Sequence, residues 1–166
     1  MALPDQLQYA KSKDTKEYPL PAFYFSVIIG DETRENTAKG SFTEVSGLTQ
    51  EVQTLDYRDG FDKTTIPRKI PGMPKYSNVT LKRGVFHENL EFQKWVNDRQ
   101  YNEIQRKLVT ISLKDNEGQS LIVWKLSNAY PVKLEGPTMK SDSSEIAFES
   151  IELVHEGLTV EHVSKA

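Results

Sequence analysis

Cysteine is absent from the 166 residues, which excludes disulfides and thiolate zinc centres. No apolar run approaches the ~20 residues that a membrane-spanning helix needs. Nor is there a long basic run: the formal net charge is -3, so non-specific binding to a nucleic-acid backbone is not favoured. The start, Met1-Ala2-Leu3-Pro4-Asp5, has no basic segment followed by an apolar one, so a secretory signal is not expected. The three histidines, His87, His155 and His162, lack H-x-x-x-H spacing, and neighbours such as His155 and Glu156 face opposite ways on a strand. Ser46 lies in Val45-Ser46-Gly47 rather than in a G-x-S-x-G elbow. Gly30, Gly40 and Gly47 do not make a phosphate-binding loop. Asp56, Asp59 and Asp62 surround a turn without the further oxygens that calcium requires. Catalytic, cofactor-binding and metal-ligating residues are therefore expected to be absent.

What is present has the balance of a folded protein, with 37% hydrophobic and 27% charged residues, and the length of one domain. Residues 1–20 are polar and charged before Pro19 and Pro21 punctuate the chain; they read as an exposed N-terminal arm. A strand is predicted over 21–30, with Phe23, Phe25, Val27 and Ile29 on one face and Tyr24 and Ile28 on the other. A polar loop over 31–39 and strands over 40–47 and 48–58 follow. Val79 and Leu81 alternate with Asn78, Thr80 and Lys82, a clean half-buried strand. One helix is predicted over 88–100: Phe92, Trp95 and Val96 form its apolar stripe, Asn89 its N-cap, and Arg99 sits near its end. Strands over 107–114 and 120–128 flank the turn Asp115-Asn116-Glu117-Gly118, and 130–134 resumes the sheet after a break at Pro131. The last strand is predicted over 145–155. Its apolar parity shifts from Ile146 and Phe148 to Ile151 and Leu153, which implies a bulge or a change of exposed face. The sum is a mainly β protein, an antiparallel barrel or sandwich of about seven or eight strands with one flanking helix. The barrel is expected over 21–158 and a C-terminal tail over 159–166.

One segment stands apart. Residues 56–76 carry Lys63, Arg68, Lys69 and Lys75, with Pro67, Pro71, Pro74 and Gly72. Such a stretch cannot be a central strand; it reads as a long projecting loop or hairpin, and its length makes it a functional candidate. Four cations interleaved with Tyr57, Phe61 and Tyr76 are too few for specific nucleic-acid binding. A protein partner fits better, because prolines reduce the ordering entropy lost on docking.

Asn78-Val79-Thr80-Leu81-Lys82-Arg83-Gly84, with Glu44-Val45-Ser46-Gly47-Leu48 upstream, Asn128-Ala129-Tyr130-Pro131 and Gly136-Pro137 downstream, and Glu149-Ser150-Ile151-Glu152-Leu153-Val154-His155-Glu156-Gly157-Leu158 near the C-terminus, resembles the tail-tube protein family. That family forms the inner tubes of contractile phages, tailocins and extracellular contractile injection systems, and is similar to the type VI secretion tube protein. The resemblance implies six copies in a ring whose inner wall is a continuous β-sheet, with rings stacked head-to-tail into a hollow conduit for DNA or effector protein. It implies no cofactor, no membrane anchor, and as partners the chain itself, a sheath protein, baseplate and spike proteins, and a tape-measure or cargo in the lumen. It places the projecting segment against the next ring, with Asp56, Tyr57, Asp59, Phe61, Lys63, Arg68, Lys69 and Lys75 as inter-ring contacts. Two alternatives stay open: a tube-initiating or tube-capping paralogue of the same fold, and a monomeric ligand-binding β-barrel.

Overall fold

A computed structural model describes residues 20–30, 38–40, 42–61, 63–87, 90–100, 103–142 and 144–163. Their elements, in chain order, are β1 (Phe25–Ile29), β2 (Ala38–Gly40), β3 (Phe42–Ser46), β4 (Gln50–Tyr57), β5 (Arg68–Tyr76), β6 (Val79–Gly84), α1 (Glu91–Asn97), β7 (Arg99–Gln100), β8 (Glu103–Ile104), β9 (Lys107–Lys114), β10 (Ser120–Glu135), β11 (Phe148–Val154) and β12 (Gly157–His162). The main sheet runs β2-β1-β9-β10-β11-β6-β3, with β12 also paired to β10, and its pairings are antiparallel.

Strand β10 organises this sheet. At 16 residues it is roughly 54 Å long at 3.4 Å per residue. Its first half pairs with β9 on one edge and β12 on the other; its second half pairs with β11. The β11 and β12 ladders share one register across the intervening residues, since Tyr130 faces Val154 and Ser127 faces Gly157. The sheet bends at this place. Asn128 has φ 52°, the left-handed conformation that asparagine tolerates. Its Nδ2 donates to one Glu156 carboxylate oxygen at 2.6 Å, and Arg106 donates to the other.

The bend folds one half of the sheet over the other. Val27, Ile29, Val109 and Ile111 from β1 and β9 meet Val79, Leu81, Ile151 and Leu153 from β6 and β11 in one buried cluster with Leu126 and Ala129. Each strand contributes alternate residues, as a pleated strand with one buried face must. Helix α1 adds Phe92 and Trp95. Trp95 keeps its polar end satisfied by donating Nε1–H to the Gln105 carbonyl at 2.8 Å.

A charge lies inside this apolar cluster's boundary. The alternation that buries Val79 and Leu81 also buries Arg83, at 1% exposure. Its Nε donates to Glu149 Oε1 at 2.6 Å, directly across the β6–β11 ladder. Its guanidinium lies 3.7 Å from the centre of the Phe92 ring, a cation–π contact that ties α1 to the sheet.

Three sequence expectations change, and one that was left as two alternatives resolves to one of them. The helix is shorter than 88–100. It spans Glu91–Asn97 with Leu90 at the N-cap and no side-chain cap, and residue 89 lies outside the described residues. Arg99 is not in its last turn but in β7, paired with β8; one apolar stripe of Phe92, Trp95 and Val96 supports only about two turns. Pro131 does not break β10, which runs through it with the ring buried. The parity change near the C-terminus is a change of face rather than a bulge. The β6–β11 register is continuous from Phe148 to Leu153, Phe148 turns outward beneath Lys82 at 5.1 Å, and the irregularity sits in β10 between Pro131 and Lys133. Residues 159–162, expected in a tail, complete β12 against β10. The expected arm (1–20, described only at Leu20), most of the 31–39 loop and the last residues of the tail lie outside the described residues.

Two expected outcomes test this architecture. Arg83→Ala leaves Glu149 facing a cavity and should cost about 3–5 kcal/mol of stability, with part recovered by Arg83→Met/Glu149→Gln, measured by denaturant unfolding. Gly47 and Gly118 both have positive φ, 87° and 81°, but a Cβ at 47 would lie 2.0 Å from the Asn78 carbonyl oxygen while one at 118 meets open space. Gly118→Ala should therefore cost about 1–2 kcal/mol for the backbone alone, and Gly47→Ala clearly more.

Candidate functional site

Among the described residues, strands β4 and β5 pair only with each other and leave the barrel as a two-stranded ribbon. Eight residues of β4 give it a reach of about 27 Å. It starts where Gly47 turns against Asn78, so the closest approach of the two backbones fixes its root. Prolines are tolerated because each strand has a free edge. Pro71 faces Thr54, Pro74 faces Val52, and a bulge lies between these pairs. Gly72 sits in the bulge, where a Cβ would come 2.9 Å from the Gln53 carbonyl oxygen.

All of β4 is exposed. Lys69 Nζ and Asp56 Oδ1 form an ion pair at 2.5 Å, directly opposite one another in the ladder. Tyr57 lies opposite Arg68, and Lys75 opposite Glu51. At the tip the Asp59 carboxylate accepts the Phe61 N–H at 3.3 Å, an Asx-type turn. Phe61 is 97% exposed, and Lys63 is exposed as well. The ribbon thus holds all eight expected contact residues. The sequence reading missed its apolar content: Val52, Leu55, Ile66, Ile70 and Met73 are also exposed, with Leu55 directly opposite Ile70. Strong β-propensity in a segment with no room in the core was the available signal.

Elsewhere a half-open cleft of about 410 Å³ lies on the outer face of β3, β6 and β11, beneath the chain that links β10 to β11. Four glutamates line it, but three already have cationic partners: Glu149 with Arg83, Glu135 with Lys133 at 2.6 Å, and Glu44 with Lys82 at 3.9 Å. The hydrogen bonds from Lys133 and Ser150 hold the Glu135 carboxyl below its ordinary range, and Glu135 in turn raises Lys133. Among the described residues no group of three or more His, Cys, Asp or Glu side chains is placed to hold a metal ion, and no helix is long and apolar enough to cross a membrane.

Among the described residues the fold is an antiparallel sheet with one short helix and a projecting two-stranded ribbon. The T4-like virus tail tube protein family, gp19, matches residues 21–159, and the chain belongs to that family. It is similar to a chain of the sheath–tube complex of an extracellular contractile injection system, PVC, in the extended state: 35% identity, coverage of 93% of this chain and 99% of the other, TM-score 0.81. It is similar to a chain of the tube-terminating cap of the anti-feeding prophage at 34% identity, 89% and 93% coverage and TM-score 0.79. A type six secretion system protein shares the fold at 10% identity, 86% coverage of both chains and TM-score 0.53. No curated protein sequence matches significantly.

Exposed ion pairs contribute little. Asp56→Asn should therefore change unfolding free energy by less than about 1 kcal/mol, whereas Gly72→Val should expose ribbon amides to hydrogen exchange while core amides of β6 and β11 keep their protection.

Proposed function

We propose that this protein is the inner-tube subunit of a contractile tail or injection particle. The observation that carries this reading is the match over nearly the whole length of both chains with a component of a sheath–tube complex. Its mechanism is passive: a rigid conduit is driven through a target envelope. Three of the four glutamates that line the cleft on the outer face of β3, β6 and β11 are paired with cations.

The open sheet supports ring formation. Strand β2 ends the main order, and β3 ends it on the other side. Unpaired edges invite further strands, and unlike edges on one chain make a heterologous contact that closes into a ring when the rotation permits. Six-fold closure, with the lumen carrying DNA or effector protein, is the form this takes in our reading. The ribbon supports stacking: its exposed apolar side chains and the cations Lys63, Arg68 and Lys75 project where another ring can cover them. Sheath and baseplate proteins are the outer and terminal partners, and the site of action is an extracellular phage tail-like particle.

A terminating cap is the second reading, favoured by the similarity to the anti-feeding prophage cap and to a PVC sheath/tube terminator at 36% identity. Negative-stain imaging separates the two. A tube subunit gives rings of six, about 113 kDa from six times 18.9 kDa, that stack into long tubes; a cap gives one ring layer; a monomer at every concentration would overturn both. Phe61→Ser/Ile66→Ser, with or without Arg68→Glu, should leave unfolding free energy within about 0.5 kcal/mol of the parent yet yield rings without long tubes.

A further inference from the structure

The strand that carries the ribbon at one end presents a bare apolar surface at the other. The ribbon's root lies where β3 ends and β6 begins, with Ser46 paired to Thr80. There the Ser77 carbonyl oxygen lies 3.1 Å from His155 Nε2, and the Ser77 amide donates to the Thr49 carbonyl at 3.2 Å. Strand β6 then runs for six residues, roughly 20 Å, to Gly84. Beyond it Val85 and Phe86 are exposed, and so is Ile146, at 72%, on the chain entering β11. The three are neighbours: the Val85 amide donates to the Ala147 carbonyl at 2.9 Å, and a Cβ at Gly84 would lie 3.9 Å from Ile146 Cγ2. Ile146 also lines the outer cleft together with Phe148, and the same cleft is lined by four glutamates and a single lysine, Lys82.

The ribbon's tip is the complement of this surface. Phe61 is 97% exposed and Ile66 77%, with Lys63 between them in the chain. Residues 58–70 carry four cations, Arg58, Lys63, Arg68 and Lys69, against two aspartates. An apolar pair that brackets a cation matches an apolar floor beside a glutamate-lined cleft, in both hydrophobic contact and charge. Within one chain the two surfaces leave each other uncovered, since Phe61 and Ile146 both face solvent. Two unlike surfaces, one borne by the start of β6 and the other by its end, make a heterologous contact between copies: the tip of one subunit meets the far end of the next. That contact takes out of water the apolar surface that a lone subunit exposes at both places.

We propose that the ribbon's tip docks on a second copy of this chain, seating Phe61 and Ile66 on Val85, Phe86 and Ile146, with Lys63 turned toward the adjoining glutamate-lined cleft. The inference rests on the stacked-subunit reading and adds to it the surface that receives the ribbon.

Because the chain has no cysteine, introduced thiols report on this contact without background. Phe61→Cys and Ile146→Cys, made singly and mixed before assembly, should join as a disulfide-linked pair under mild oxidation, which requires Cα atoms within about 7 Å. Phe61→Cys mixed with Val160→Cys, exposed on β12, should not. In the parent protein the amides of Phe86 and Ile146 should exchange about tenfold more slowly in tubes than in isolated rings; this measurement needs no variant and decides the matter if the cysteine variants fail to assemble. Tubes in which Phe61→Cys joins Val160→Cys rather than Ile146→Cys, or in which the two amides stay unprotected, would overturn the inference and leave the stacking reading standing. Protection that appears only after a sheath protein is added sinks it as well, and makes the sheath the occupant. A parent protein that stays monomeric at every concentration removes both readings together.

Discussion

The contact between Arg83, Glu149 and Phe92 is the constraint on which the rest of the fold depends. An arginine on the inward face of a central strand is costly unless its charge is answered. Glu149 answers it from the neighbouring strand at 2.6 Å, and Phe92 presents a ring face at 3.7 Å. Because Arg83 lies opposite Glu149 in the β6–β11 ladder, a slip of one residue would separate the pair and turn Val79 and Leu81 outward at once. The same side chain specifies where a seven-residue helix with no side-chain cap must sit. So short a helix would not persist in isolation; its position comes from Phe92 beneath the guanidinium and Trp95 in the core.

A second constraint works at longer range. One strand, β10, serves both halves of the sheet; its β11 and β12 ladders share one register across the bend, while its pairing with β9 shifts between Leu126 and Ala129. The polar cluster of Asn128, Glu156 and Arg106 lies at that bend, and so does His155. The ribbon's root is attached at the same place through Ser77. The geometry of the projecting element is therefore tied to the fold's central corner and not to a flexible loop.

How much of this was legible in the sequence follows from how local each signal is. Strict alternation announced β6, since one buried face imposes period two on adjacent residues. Val79 with Leu81 needed no tertiary information. Pro131 misled because the ring was weighed by its local effect, whereas β10 bulges there and accommodates it. β12 was lost to the tail because Thr159, Glu161 and His162 face water; only pairing with Ile122–Ser127 makes them a strand. The role of Arg83 was invisible for the same reason: its two partners lie 66 and 9 residues away in sequence. Lys63, Arg68, Lys69 and Lys75 marked the ribbon through length, proline and charge, but its aliphatic residues were given no contact role, since Leu55 and Ile70 become neighbours only once the ladder forms.

Those apolar residues decide what the ribbon is. A two-stranded hairpin alone is marginally stable in water, and this one exposes Leu55, Ile70, Met73 and Phe61 rather than covering them with the barrel. Its internal ion pair, Lys69 with Asp56, is solvent-exposed on both partners and adds little. What holds the hairpin in shape is therefore its root, where Gly47 meets Asn78 and His155 meets Ser77, together with prolines that limit the alternatives open to the free chain. A preformed ribbon docks at lower entropic cost than a loop that must order first. A monomer has no use for an extended apolar hairpin and bears the aggregation risk that exposed edges bring; the stacking we propose would bury the same surface at every layer. That asymmetry, more than any single residue, separates the tube reading from a self-contained ligand-binding barrel.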